Sequence, residues 1–187
     1  MIPAGQLFGG AGAESGTIER PLDHLVACHR RIEARLDALE RIAAHLDAAP
    51  EEALEAAAGC FRFFDTNGVL HTEDEEESLF PRLRKGLTAE ELRFLDDLER
   101  GHVEAERIYA ELKEAVAARS GARSRESAAR LCSLYRAHIA AEDTVLIELG
   151  RRILKTAELA EISREMKRRR GLKVQAAAAA ALRCAAW

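Results

Sequence analysis

Four stretches of the chain place apolar residues at alternating three- and four-residue steps, the spacing that brings them onto one face of an α-helix. They cover residues 22–46, 54–79, 95–116 and 131–149. One histidine belongs to the stripe in each stretch. The pattern therefore predicts four amphipathic helices, each with an imidazole on its apolar face.

Proline, glycine and a helix cap separate the predicted helices. Pro50 ends the first helix, and Thr88 with Glu91 forms a capping box that opens the third. The residues Asn67-Gly68 favour a turn, but the apolar stripe keeps its phase through them. We therefore predict one continuous second helix, which Pro81 distorts near its end. Polar residues 119–125 are predicted to connect the third and fourth helices.

Four amphipathic helices joined by short links bury their apolar faces most simply as an up-down-up-down bundle. We expect an all-α fold in which the bundle covers residues 20–155 and follows a flexible N-terminus at residues 1–19. An additional amphipathic C-terminal helix at 156–170 should pack outside the bundle, before an Ala-rich tail at 171–187. A chain of 187 residues suits one domain with one core.

Composition narrows the range of partners. The net charge is −4 with acidic and basic residues interspersed, so no broad positive field attracts nucleic acid or an anionic membrane. The sequence has neither a recognisable signal peptide nor a membrane-spanning stretch, and we expect a cytoplasmic protein. The four cysteines lack the paired spacing of metal or redox motifs and are expected to be reduced thiols.

Each stripe histidine is followed four residues later by a glutamate. Four residues advance a helix by about 6 Å with roughly 40° of rotation, so both side chains of a pair leave the same face. Random placement of the histidines and glutamates predicts about one such pair, which makes four a clear excess. The pairs are His29 with Glu33, His71 with Glu75, His102 with Glu106, and His138 with Glu142.

A single pair of this kind is usually a surface hydrogen bond. Here the pairs fall one per helix, on the faces that must converge, where an uncompensated carboxylate is costly to bury. A shared metal cluster would satisfy these groups together. Imidazoles with bridging carboxylates favour two iron ions joined by an oxo or hydroxo bridge over a closed zinc site. Manganese and zinc stay as alternatives.

Four stretches of the sequence resemble the hemerythrin-like (HHE cation-binding) family. They occur in the family's order within residues 20–155, and the stretch that ends in Leu-Phe-Pro is the most specific. Residues 166–171 also resemble the basic end of many bacterial members. The stretches are Cys28-His-Arg-Arg-Ile-Glu33, His71-Thr-Glu-Asp-Glu-Glu-Glu-Ser-Leu-Phe-Pro81, Glu99-Arg-Gly-His102 and His138-Ile-Ala-Ala-Glu-Asp143.

The resemblance implies a site with the four stripe histidines as terminal ligands and two glutamates as bridges. The family's oxygen carriers have a fifth histidine four residues after that of the third helix, where this chain has Glu106. Their aspartate five residues after the histidine of the fourth helix corresponds to Asp143. Both are additional candidate ligands, and the missing fifth histidine weakens a role in oxygen storage. The six main residues are His29, His71, His102, His138, Glu75 and Glu142.

The predicted function is a di-iron protein that binds or senses oxygen, nitric oxide or peroxide, or handles iron, with an electron donor as a further partner. The alternative is a regulatory or interaction bundle in which metal is structural. A ferritin-like site needs Glu-x-x-His twice, and only Glu99 with His102 matches that spacing.

Several residues near the predicted site are expected to have ordinary roles. His24 and His45 are out of phase with His29, and Glu33 should form a surface ion pair. The acidic residues around Glu75 are predicted to face solvent, and the basic run 167–170 to complement a helix dipole. Two tyrosines near the site either donate hydrogen bonds to a bound ligand or fill the core, namely Tyr109 and Tyr135.

Overall fold

The computed structural model of the protein describes residues 18–172. Most of the predicted flexible N-terminus and Ala-rich tail, with Cys184, lie outside the described residues. The described residues form five helical runs and no strand, which confirms the all-α class. The first helix, α1, is Pro21–His45, and the last, α5, is Thr156–Arg169. Within residues 18–172, no helix combines the length and apolarity needed to cross a membrane.

The second helical run, α2, covers residues 50–86 without a break, so the chain does not turn at Asn67-Gly68. Two wider, π-helical segments interrupt its α-helical geometry. Pro81 closely follows the second segment, where its ring cannot donate a hydrogen bond and crowds the carbonyl four residues earlier. The α-helical parts are Pro50–Phe63, Val69–Glu73 and Phe80–Leu83, and the π-helical parts are Phe64–Gly68 and Asp74–Leu79.

The third helix, α3, is Ala89–Ala117 and begins at the predicted capping box. Thr88 Oγ1 accepts a hydrogen bond from the Glu91 backbone, and the Glu91 carboxylate accepts one from the Thr88 backbone. The fourth run, α4, covers residues 121–153 and contains a π-helical segment at Glu142–Leu146. The predicted connection at 119–125 was too long, because α4 already begins at Gly121.

Two pairs of bundle helices, α2 with α3 and α1 with α4, run in opposite directions. Between α2 and α3 the contacts extend from Asp65 with Tyr109 to Arg84 with Glu99. The contacts between α1 and α4 show the same reversed order. They pair His29 with Asp143, Leu36 with Cys132, and Asp47, just after α1, with Arg125.

Two apolar clusters form the core of the described chain. One is built from α1 to α4 at the end of the bundle near the α1–α2 link. The other lies at the opposite end and includes Ile18, together with Ile162 and Met166 of α5. On every bundle helix the predicted ligand histidine stands between the two clusters. Leu25 and Ile32 flank His29, Phe64 and Leu79 flank His71, Leu98 and Ala105 flank His102, and Leu131 and Leu146 flank His138.

Candidate metal centre

The six residues named as main ligands come together between the two apolar clusters. Both glutamates and His29 are fully buried, whereas the side chains of His102 and His138 are each 9% exposed. Their ligand-type atoms form two groups, and within each group all atoms lie within 4.8 Å of one another. One group is His29, His71, Glu75 and Glu142, and the other is His102, His138 and Glu142.

Glu75 extends between the two sides of the cluster. Its Oε1 lies 3.4 Å from His71 Nε2 and 3.8 Å from His29 Nε2. Its Oε2 lies 3.4 Å from His102 Nε2. The carboxylate therefore turns one oxygen toward each pair of histidines.

Glu142 has the same arrangement. Its Oε2 lies 3.3 Å from His29 Nε2, and its Oε1 lies 3.0 Å from His138 Nε2. The Nε2 atoms of His102 and His138 are 2.9 Å apart. Two donor atoms that each lie about 2.1 Å from one ion, at adjacent coordination positions, are separated by about 3.0–3.4 Å. Most distances in the cluster thus match the spacing of ligands around a bound cation, and Glu142 belongs to both ligand groups.

Several polar atoms at the centre of this cluster lack hydrogen bonds. His29 Nε2 and both carboxylate oxygens of Glu75 and of Glu142 are buried without a hydrogen-bond partner. Burial of such atoms is unfavourable, and two adjacent carboxylates also repel each other. Cations at this position would neutralise the carboxylates and coordinate all five atoms. The donor set therefore fits a metal centre.

Without metal, the carboxylates favour protonated imidazoles. Burial opposes a charge on His29, but the nearby carboxylates of Glu142 and Glu75 outweigh it and raise its pKa to about 11. Burial likewise opposes a charge on His102, while Glu75 and Glu76 raise its pKa to about 9. For Glu75, the surrounding histidines overcome burial and hold its pKa well below the usual range.

His71 behaves differently from these two histidines. Burial is the main influence on its imidazole and lowers its pKa, although the Glu75 charge acts in the opposite direction. The metal-free centre therefore contains both neutral and protonated imidazoles at neutral pH.

Two further carboxylates orient histidines from behind. Asp143 Oδ1 lies 2.7 Å from His29 Nδ1, and Glu76 Oε1 lies 2.8 Å from His102 Nδ1. A carboxylate that accepts a hydrogen bond from Nδ1–H favours the tautomer whose Nε2 lone pair faces the cluster. The structure thus places Asp143, a candidate ligand from the sequence, behind His29 and in neither ligand group.

The structure does not bring Glu106 to the cluster. Its side chain is exposed and belongs to neither ligand group. His102 lies at the edge of the buried face of α3, and Glu106 lies about 40° further around the helix, toward solvent. Glu33 forms the expected surface ion pair, with its Oε2 2.8 Å from Arg30 Nη1.

The acidic run around Glu75 is less exposed than its sequence indicated. Asp74 is fully buried and contacts Arg169 and Arg170, and Glu76 contacts His102. The prediction of a solvated face was therefore wrong for Asp74, whereas Glu76 remains exposed as predicted while it also contacts His102. The π-helical segment changes the direction of successive side chains, and hydrophobic spacing carried no signal for it.

Both glutamates that were predicted to bridge the metal ions lie on π-helical segments. Glu75 is the second residue of Asp74–Leu79, and Glu142 is the first residue of Glu142–Leu146. Such single wide turns are frequent at functional sites, because they shift side chains relative to the regular helix. They are features of the site that the sequence pattern did not reveal.

The remaining histidines and tyrosines have other partners. His45 is exposed, and its Nδ1 lies 2.8 Å from the carbonyl oxygen of Arg41. His24 is fully buried but belongs to neither ligand group. The Tyr109 hydroxyl donates to Asp65, 3.0 Å away. Burial, together with the charges of Glu75 and Glu142, raises the pKa of Tyr135 to about 12.

Comparison with known proteins agrees with this geometry. No curated protein gave a significant match. The family model described as the hemerythrin HHE cation binding domain matches residues 20–150, which contain all six residues of the cluster. Because the match covers well over half of the sequence, the chain belongs to the hemerythrin HHE cation-binding domain family.

Proposed function

We propose that this chain holds two non-haem iron ions in the cluster and uses them to bind, sense or react with a small diatomic ligand or an oxidant. The observation that carries the proposal is the position of the two glutamates. Each glutamate has one oxygen near the pair His29 and His71 and the other near the pair His102 and His138. Each ion would receive two imidazole nitrogens and two carboxylate oxygens. Six-coordinate iron would keep further positions for ligands from solution.

The donor chemistry supports iron over a structural zinc ion. Structural zinc sites are usually closed by four ligands around one ion, often with cysteine among them. Here the ligands are imidazoles and shared carboxylates, and no cysteine belongs to either ligand group. When bound, an iron pair supplies reversible one-electron changes and coordination sites for small molecules.

Differences in burial favour one direction of access. The His29 and His71 side chains are 0% and 6% exposed, whereas those of His102 and His138 are each 9% exposed. Phe80 stacks on His102, with ring centroids 6.2 Å apart, and forms an apolar wall beside it. A small ligand would therefore reach the centre from the side of His102 and His138.

Anaerobic purification with metal analysis and absorption spectroscopy tests the proposal. We expect about two iron ions per chain, as the ligand groups require, and a spectral change on addition of oxygen, nitric oxide or peroxide. Metal that supports folding without any such response would favour the structural alternative. A properly folded protein that takes up no iron would overturn the proposal.

Three histidine and glutamate variants provide a matched comparison. His71→Ala and Glu142→Ala should lower the iron content, because each removes a donor from the cluster. His45→Ala removes an exposed histidine from α1 and should leave the iron content unchanged. Equal iron in all three variants would contradict the assigned site.

A further inference from the structure

A buried ion pair lies directly beside one bridging glutamate. Asp74 precedes Glu75 and is fully buried. Arg169 Nη1 lies 2.9 Å from Asp74 Oδ1, and Arg170 Nη2 lies 2.7 Å from Asp74 Oδ2. The two arginine side chains are themselves only 15% and 9% exposed. The Arg169 contact is a charge-assisted hydrogen bond and the Arg170 contact is an ion pair. Water screens both contacts less than it screens surface ion pairs.

Arg169 also contacts the later residues of the π-helical segment Asp74–Leu79. Its Nη2 donates to Ser78 Oγ at 2.8 Å and to Glu77 Oε2 at 3.1 Å. One guanidinium group therefore joins three side chains of the segment that carries Glu75. Its planar set of donors suits this role better than a single ammonium group.

A second contact with α5 lies just after the segment. Arg82 forms two hydrogen bonds with Glu165 of α5, at 2.8 and 2.9 Å, and donates to the carbonyl oxygen of Ser78 at 2.7 Å. Ile162 and Met166 anchor α5 in the apolar cluster beneath these contacts. The segment is therefore held by α5 at its beginning and near its end.

This external support matters because π-helical hydrogen bonding extends over single turns and is rare without a local cause. For the cluster to form, Glu75 must turn one oxygen to each pair of histidines. Glu76 must accept a hydrogen bond from His102 Nδ1. Rotation of the segment would displace both carboxylates together. Metal ligands tolerate errors of only about 0.2 Å in distance.

We propose that Arg169 and Arg170 are positioning residues for the metal centre, which act through Asp74 to fix the orientation of Glu75 and Glu76. The inference rests on the proposed function, because it concerns how the cluster is prepared for metal. The fifth helix is then part of the metal-binding unit. Its basic end does more than complement the helix dipole, which was the role predicted from the sequence.

Titration of the full-length metal-free protein with Co²⁺, and with Fe²⁺ under anaerobic conditions, tests this role. Arg170→Gln should weaken binding by about 10- to 100-fold, the usual effect of losing a group that orients a ligand. The visible absorption of bound Co²⁺ should also change, because the donor geometry changes. Circular dichroism reports whether the helices are retained.

Arg168→Gln is the matched control. Arg168 lies two residues before Arg170 and is exposed, so this variant removes the same charge from the same helix end without touching Asp74. Its metal affinity should equal that of the wild type. Arg170→Lys keeps a positive charge near Asp74 and should recover much of the affinity lost in Arg170→Gln.

A double-mutant cycle separates positioning from a general loss of stability. If Arg170 acts through Asp74, Asp74→Asn combined with Arg170→Gln should weaken binding no more than Asp74→Asn alone. If the charge variants do not fold, Ser78→Ala tests the same inference, because it removes one contact of Arg169 without leaving an unpaired charge. It should weaken metal binding measurably and alter the Co²⁺ spectrum.

Several outcomes would overturn the inference. They are wild-type affinity in folded Arg170→Gln, an equal loss in Arg168→Gln, additive losses in the cycle, or an unchanged Ser78→Ala variant. If the wild-type chain itself binds neither ion, the proposed function fails and this inference fails with it. If the wild type binds two ions and the variants bind equally well, only this inference fails.

Discussion

Replacement of Gly101 by alanine should weaken one metal position while leaving the helices intact. Gly101 precedes His102 on α3, at a point where α4 approaches closely. A Cβ atom at this position would lie 2.8 Å from His138 Nδ1 and 3.3 Å from its Cε1. Comfortable contacts between such atoms are about 3.5 Å, so the imidazole would have to move by about 0.7 Å.

His138 has little room for this movement. Its Nε2 lies 2.9 Å from His102 Nε2 and 3.0 Å from Glu142 Oε1. A shift of about 0.7 Å exceeds the tolerance of about 0.2 Å in metal–ligand distances. We expect binding at this position to weaken by about 10- to 100-fold, which corresponds to about 1.4–2.7 kcal/mol. Alanine favours a helix over glycine by about 1 kcal/mol, so helicity should be retained.

Gly68→Ala provides the control for this substitution. A Cβ atom at Gly68 would meet only the Phe64 side chain, at 3.5 and 3.7 Å, which is ordinary contact. Anaerobic Fe²⁺ titration with circular dichroism should show two tight sites in Gly68→Ala and one in Gly101→Ala. Two tight sites of wild-type affinity in Gly101→Ala would refute the reasoning.

Three further predictions follow from the surroundings of the cluster. The pKa values of about 11 for His29 and about 9 for His102 mean that both are protonated at pH 8 in the metal-free protein. Metal binding should therefore release about two protons and strengthen as pH rises. Calorimetry in buffers of different ionisation enthalpy measures the proton release, and binding heats that do not depend on the buffer would contradict this prediction. Asp143→Asn should weaken metal binding about tenfold or more in a chelator competition, because a neutral amide replaces the charged carboxylate that accepts from His29 Nδ1. The surface variant Glu33→Gln should match the wild type. Glu106→Gln should leave the metal content unchanged by elemental analysis, since its side chain is exposed, and a lower content would return Glu106 to the ligand set.

Local spacing determined much of the fold. The apolar stripes and the Thr88 capping box depend only on the geometry of one helix, so they predicted the helices. The stripes also place His71 with Glu75 and His138 with Glu142 on buried faces. Because such groups are unfavourable in an apolar core without a partner, the sequence also indicated the metal cluster.

The same spacing had different outcomes on different helices. Glu142 reaches the cluster four residues after His138, but Glu106, four residues after His102, points toward solvent. Sequence spacing fixes the angle between two side chains on one helix. It does not fix the rotation of that helix against its neighbours, which depends on how all the apolar faces fit together.

The supporting residues were decided by tertiary structure alone. Asp74 belongs to an acidic run that reads as a solvated face, and only its pairing with Arg169 and Arg170 permits its burial. Those arginines lie more than ninety residues away in the sequence. Periodicity reports what one helix turns toward the core, whereas the partner of a buried charge and the site of a π-helical turn depend on segments that meet only after folding.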